Sequence, residues 1–172
     1  LYLAPAKSSG YEVCPMRSKE CTAACLNESG HNRIDIHDNT INKARITKTK
    51  LFFDKQLDFL AKLSKEISSS MKTATKKGMQ SVFRLNLTSD IAWESVFFNE
   101  EQPQTIFDKF PSTQFYDYTK SFKRMAQYLG KHKEFPKNYH LTFSRSETNN
   151  KLCEMVLEMG GNVAVVFRNQ LP

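Results

Sequence analysis

Nowhere in its 172 residues does the chain stay apolar for the ~20 positions that a membrane-spanning helix needs, which excludes a helical membrane protein and points to a soluble one with no membrane partner. No secretory signal peptide is visible, which argues against a secreted disulfide framework for the four cysteines. Acidic residues are the minority, 18 against 25 Lys and Arg, for a formal charge of +7 and a pI near 9.2. That balance favours phosphate-bearing partners, a nucleotide or a nucleic acid. The chain opens on Leu1 and stops at Pro172 directly after an apolar run, so further residues are expected at one or both ends.

What is present is a concentration of thiols. Cys14, Cys21 and Cys25 lie within residues 13–26 in the spacing C-x6-C-x3-C. Thiolates are strong soft metal ligands, and three in one loop can converge on one ion or cluster. The loop is rich in Lys, Arg, Glu and Ser, so it does not read as a core strand, where cysteines serve as small hydrophobes. A helical turn over 20–26 would put Cys21 and Cys25 on one face, and residues 15–19 are enough to fold Cys14 back. A tetrahedral zinc would take a fourth ligand from His31, His37 or Cys153, whereas a cubane iron-sulfur cluster could be held by the three thiolates with one iron open. The spacing matches neither zinc fingers nor ferredoxins, which leaves both metals standing. Cys153 shares a helical face with Leu152 and Val156 and is expected in the core.

The remaining pattern reads as a single α/β domain: a cysteine-containing region at 1–38, helices at 39–78, and β/α repeats at 79–172. A short strand is expected at 1–4. Asp38 or Asn39 is the N-cap of a helix at 40–50, followed by a longer helix at 54–77 that Gly78 closes. Lys43, Arg45, Lys48 and Lys50 are read as a helix face able to grip phosphate, the plainer alternative being a solvated face. Strands are expected at 82–87, 114–118, 139–143 and 162–167, with helices at 104–110, 122–129 and 147–159. Alternation of this kind implies parallel pairing with right-handed crossovers, in a partial barrel or an open sheet.

In parallel α/β folds, working residues collect at the carboxyl ends of strands. Here those ends carry Arg84, Asn86, Ser89 and Asp90 on the first strand, then Asp117 and Lys120, then Ser144 and Arg145, then Arg168. Arg84, Asn86, Ser89, Lys120, Ser144 and Arg145 are the candidates for binding an anionic substrate. Asp90 and Asp117 are the candidate general acid and base. Tyr116, Tyr118 and Trp93 are ring surfaces for stacking or packing. Arg84 and Asn86 in a core strand need partners, for which Asp90, Asp117 or a ligand are available. His140 reads as structural, and His132 as part of a solvated loop.

Five segments, at 13–26, 83–94 (Phe-Arg-Leu-Asn-Leu-Thr-Ser-Asp-Ile-Ala-Trp-Glu), 115–120 (Phe-Tyr-Asp-Tyr-Thr-Lys), 139–145 (Tyr-His-Leu-Thr-Phe-Ser-Arg) and 162–168, together resemble a phage and prophage family known as gene product eighty-eight. The resemblance spans nearly the whole chain and implies a phage origin, a bacterial cytoplasmic setting and a longer full-length protein. A looser fold likeness is to the radical S-adenosylmethionine enzymes, whose partial barrel carries three cluster cysteines after its first strand. Their usual C-x3-C-x2-C spacing differs from the one here. The expectation is a metal- or iron-sulfur-containing enzyme acting on an anionic substrate, with a nucleic-acid-binding protein bearing a structural zinc as the alternative.

Overall fold

The computed structural model describes residues 1–28, 39–99, 101, 103–130 and 135–167. The expectations for His31, His37, Asp38, His132 and Arg168 lie outside the described residues. No helix among the described residues is long and apolar enough to cross a membrane.

A short helix α1 (Lys19–Ala23) follows the turn after Cys14, and two long helices come next, α2 (Thr40–Asp54) and α3 (Gln56–Lys76). Phe59, Leu60, Leu63 and Ile67 recur at helical spacing and are the buried stripe of α3. The break between α2 and α3 falls at Lys55, later than expected, because Leu51 and Phe52 are compatible with a helix and Phe52 is buried against Phe59 and Trp93, ring centroids 5.2 and 5.3 Å away. Gly78 ends α3 at φ +66°, while its own N–H and that of Met79 donate to Thr75 and Ala74, a Schellman closure. At about 100° per residue, Lys43 and Lys50 share one side of α2, and Arg45 and Lys48 lie toward the other, so the four do not form the single face expected of them. Arg45 is also engaged, bonded to Asn27 and stacked over the Tyr2 ring at 4.7 Å.

Strands β1 (Val82–Phe83), β2 (Gln114–Thr119), β3 (Tyr139–Ser144) and β4 (Val163–Ala164) pair in that order, all parallel, as an open sheet that does not close into a barrel. Between them lie α4 (Ile106–Lys109), α5 (Phe122–Leu129) and α6 (Asn150–Glu158). α5 packs on β2 and β3, and α6 on β3 and β4. Register runs from Phe115 opposite Tyr139 to Thr119 opposite Phe143. Alternation therefore buries Phe115, Asp117, Thr119, Tyr139, Leu141 and Phe143 on one face. Phe107 of α4 stacks on Tyr139 there at 4.2 Å, and Arg124 of α5 reaches the same tyrosine.

β1 is shorter than the expected 82–87. From residue 84 onward the backbone takes other partners: Asn86 N–H donates to the Asp117 carboxylate at 2.7 Å and Leu87 N–H to Leu1 C=O at 3.2 Å. The Thr88 hydroxyl donates to Leu3 C=O at 2.6 Å. Residues 1–4 thus run beside this stretch without forming an assigned strand, and Leu3 is fully buried. β4 is shorter than the expected 162–167 as well, since the chain past Ala164 leaves the sheet with Val166 94% exposed.

Gly161, before β4, sits where a Cβ would lie 2.7 Å from Leu129 Cδ1, 2.8 Å from Val156 Cγ1 and 3.0 Å from the Val156 carbonyl. Gly161→Ala is expected to cost about 1–3 kcal/mol by overpacking, measured by urea denaturation.

Candidate functional site

The cysteine loop is anchored from both sides onto the carboxyl ends of the strands. Cys14 Sγ lies 3.5 Å from the Thr88 carbonyl, and Asp90 N–H donates to Val13 C=O at 2.7 Å. Glu12 accepts from Cys14 N–H at 2.8 Å and pairs with Arg17, which also donates to the Cys14 carbonyl at 3.2 Å. Ser18 caps α1 by accepting from Cys21 N–H, and its hydroxyl donates to Glu147 at 2.7 Å. Glu147 lies beyond the end of β3 and also accepts from Glu20 N–H at 3.3 Å. The loop therefore spans from the segment after β1 to the segment after β3.

Cys14, Cys21 and Cys25 are free and half-buried. α1 stops at Ala23, so Cys25 is not the next turn of the helix that carries Cys21. Burial pushes the Cys14 thiol up to about 11, a hydrogen bond from the Ala6 backbone opposes this, and the nearby Cys25, Asp90 and Cys21 raise it further. Cys25, Asp90 and Cys21 are thus each within electrostatic reach of Cys14. As they stand, no three His, Cys, Asp or Glu side chains among the described residues converge to hold a metal ion. The donor chemistry suits a soft metal, and ligation requires the loop to draw in. Cys153 is 7% exposed, remote from the loop in sequence, with its Sγ 3.5 Å from Asn149 Oδ1.

Asp90 accepts from Lys120 N–H at 3.0 Å and from Arg124 Nη1 at 2.7 Å. The Lys120 ammonium lies 3.4 Å from the Ser144 hydroxyl, so the ends of three successive strand segments meet here. Arg84 projects over the Tyr118 ring at 4.6 Å. Arg145 is exposed and turned to Asn150 at 2.8 Å, away from this group.

Asn86 and Ser89 face inward. Asn86 Oδ1 accepts from the Ser89 hydroxyl, Ile91 N–H and Trp93 Nε1 at 2.8, 3.0 and 3.1 Å. Both residues are buried and hold the turn together. Trp93 is fully buried and is packing, not a ring surface for a ligand. Asp117, 1% exposed, accepts from Asn86 N–H at 2.7 Å and the Tyr139 hydroxyl at 2.8 Å, with Arg84 Nε 3.9 Å away. Burial raises its pKa from 3.8 to about 6 against the opposing hydrogen bonds from Asn86 and Tyr139. This placement makes Asp117 an internal acceptor that positions Arg84 and Asn86. His140, read as structural, is exposed with Nδ1 3.2 Å from the Tyr128 hydroxyl.

Three residues of this region escaped the sequence reading: Arg124, Glu94 and Glu147. Arg124 holds Glu94 through Nε and Nη2 at 2.7 and 2.8 Å, besides Asp90 and the Tyr139 hydroxyl. The available signal was position, since Arg124 adjoins Met125 on the inward side of an eight-residue helix, where a lone cation needs carboxylates.

A cleft of about 420 Å³ lies beside the loop, lined by Pro15, Met16, Phe52, Asp90 and Arg124 among others. A larger one, about 840 Å³, is lined by Phe97, Phe107, Phe135 and Asn138, toward the amino end of β3 and away from the thiols.

No curated protein and no solved structure matches the chain. A family model described as Gene product 88 matches residues 1–172. With a match over its whole length, the chain belongs to the Gene product 88 family of phage proteins.

Proposed function

We propose that the chain is an enzyme in which Cys14, Cys21 and Cys25 hold an iron-sulfur cluster or zinc over the strand ends, where Lys120, Arg84 and Ser144 receive an anionic substrate. The observation that carries this is the anchoring of the three-cysteine loop, through Cys14 to Thr88 and through Ser18 to Glu147, at the carboxyl edge of a parallel sheet. A protein with only a structural zinc would not need its thiols at the position where parallel α/β folds bind ligands. When bound, such a centre would supply redox or Lewis-acid chemistry. The chain's own residues do the rest. Lys120 and Arg84 bring positive charge to the substrate, and Asp90 borders both the thiols and the cleft. Arg145 and Arg168 are the other strand-end cations, the first turned away and the second outside the described residues.

The raised pKa of Cys14 has a consequence for loading. A ligating thiol must lose its proton, so metal uptake is expected to strengthen as pH rises. Protein purified without oxygen is expected to carry about one zinc, or iron with acid-labile sulfide and a brown colour, per chain. Cys14→Ser, Cys21→Ser and Cys25→Ser are each expected to lose most of the metal, while Cys153→Ser keeps it. Elemental analysis with a visible spectrum is the check. Colourless, metal-free wild-type protein that takes up neither metal on reconstitution would overturn the proposal.

A further inference from the structure

The sheet has one buried face and one open face. On the open face, Tyr116 is 40% exposed and its ring centroid lies 6.5 Å from that of Tyr118, the two planes 76° apart. Arg84 covers Tyr118 and spends only its Nε, on the Asn86 carbonyl at 3.1 Å and toward Asp117. Its two terminal nitrogens have no hydrogen-bond partner among the described residues. Lys120, just past β2, alternates onto the same side as Tyr118, with its ammonium 3.4 Å from the Ser144 hydroxyl and its charge also felt by the exposed Glu147 carboxylate beyond β3. The β2 and β3 residues that alternate onto this face are Gln114, Tyr116, Tyr118, His140, Thr142 and Ser144, and none of them is acidic.

We propose that this open face binds single-stranded nucleic acid, with bases against Tyr116 and the Arg84–Tyr118 stack and phosphates against Arg84 and Lys120. The proposal names the anionic substrate of the reading above and rests on that reading for the position of the site. Exposed aromatics on a sheet, flanked by cations, are the means by which proteins hold unstacked bases, because every base has a π-face and every linkage a phosphate. A duplex keeps those π-faces stacked and hidden. The ring spacing of 6.5 Å is nearly twice the ~3.4 Å step of a stacked strand, and rings at 76° hold bases that are not stacked on one another. A strand fits better than a free nucleotide, because neither of the two clefts described above is lined by Tyr116, Tyr118, Arg84 or Lys120. A flat open face offers a polymer repeated contacts but does not enclose a small ligand. The formal charge of +7 steers a polyanion toward the protein.

The test is fluorescence anisotropy of a labelled twelve-residue oligothymidylate with the full chain at graded salt. Binding is expected to weaken steeply with salt, and Tyr116→Ala to weaken it by about tenfold or more with an unchanged melting temperature. Lys120→Ala is expected to lower the slope of log K against log salt by about 0.7. Arg84→Lys is expected to keep that slope and still weaken binding, because the planar stack over Tyr118 is lost. Lys62→Ala, on the exposed side of α3, is expected to change affinity by less than about twofold. The proposal is overturned by absence of binding at low salt, by affinities that Tyr116→Ala and Lys120→Ala leave within twofold, or by thymidine monophosphate competing as well as the oligonucleotide per nucleotide. Metal content is read on the same samples. Binding by protein that takes up neither metal on reconstitution would remove the metal centre and keep this face, and metal-loaded protein that ignores the oligonucleotide would do the reverse.

Discussion

Arg124→Met is expected to destabilise the protein by about 3–5 kcal/mol, the range for removing one partner of a buried ionic network. The guanidinium side chain is 7% exposed, and the carboxylates it serves, Glu94 and Asp90, are 8% and 12% exposed. Burial works against its charge, but the Glu94 bond and the charges of Glu94 and Asp90 outweigh that and hold it above the ordinary arginine value. Removing it leaves two carboxylates with little water, while the Tyr139 hydroxyl keeps its bond to Asp117 at 2.8 Å. Asp90 would keep its bond from Lys120 N–H at 3.0 Å, whereas Glu94 would lose the bidentate clamp entirely. Most of the cost should therefore fall on Glu94, and the double variant Arg124→Met/Glu94→Gln should be more stable than Arg124→Met alone. Guanidinium denaturation of the four proteins of that cycle measures it. A loss under about 1 kcal/mol would mean that solvent reaches these groups freely, contrary to their exposure.

How much of this was legible beforehand depended on whether a contact was local. β2 and β3 could be read because their alternation meets a buried face on one side, and α5 and α3 because their apolar residues recur at helical spacing. β1 could be placed from its start at Val82 but not ended, because its ladder is interrupted by a side chain from another strand: the Asp117 carboxylate takes the Asn86 N–H that a sheet partner would have taken. The crowding of Cys14, Cys21 and Cys25 was plain from spacing alone. Their anchoring was not, since Glu147 lies 129 positions from Ser18 and nothing near Glu147 marks it as a partner. That Asn86 would meet Asp117 could be anticipated, but that Asn86 and Ser89 hold their own turn could not, for a related reason. A polar residue at a strand end looks the same in sequence whether it faces a ligand or holds its own turn, and Asn86 Oδ1 is fully occupied by Ser89, Ile91 and Trp93.

The same distinction governs Asp117, where the second large effect is expected. Asp117→Leu strips the acceptor from Asn86 N–H and from the Tyr139 hydroxyl, both buried, and leaves Arg84 facing a hydrocarbon. At about 1–3 kcal/mol for each of the two orphaned donors, the cost should reach about 2–6 kcal/mol. Asp117→Asn should be milder, since its carbonyl still accepts from Asn86, and it separates charge from shape. The native carboxyl titrates near 6 instead of 3.8, chiefly because burial disfavours its charge. The native state therefore holds this proton more tightly than the unfolded chain. Its contribution is most favourable below pH 3.8, declines as pH rises toward 6, and is a constant penalty above that. The change from 3.8 to about 6 is worth about 3 kcal/mol at its limit. Unfolding free energies of the wild type and Asp117→Asn, measured from pH 4 to pH 7.5, should diverge, with the wild type losing ground to the variant as pH rises. Asparagine has no proton to titrate and other groups cancel in the difference, so parallel profiles would mean that Asp117 is ionised throughout and reached by water. Divergent profiles would also set the terms for any activity measurement on Asp117→Asn, because a change in turnover at neutral pH would then include relief of a buried charge beneath Arg84 as well as the loss of a carboxylate.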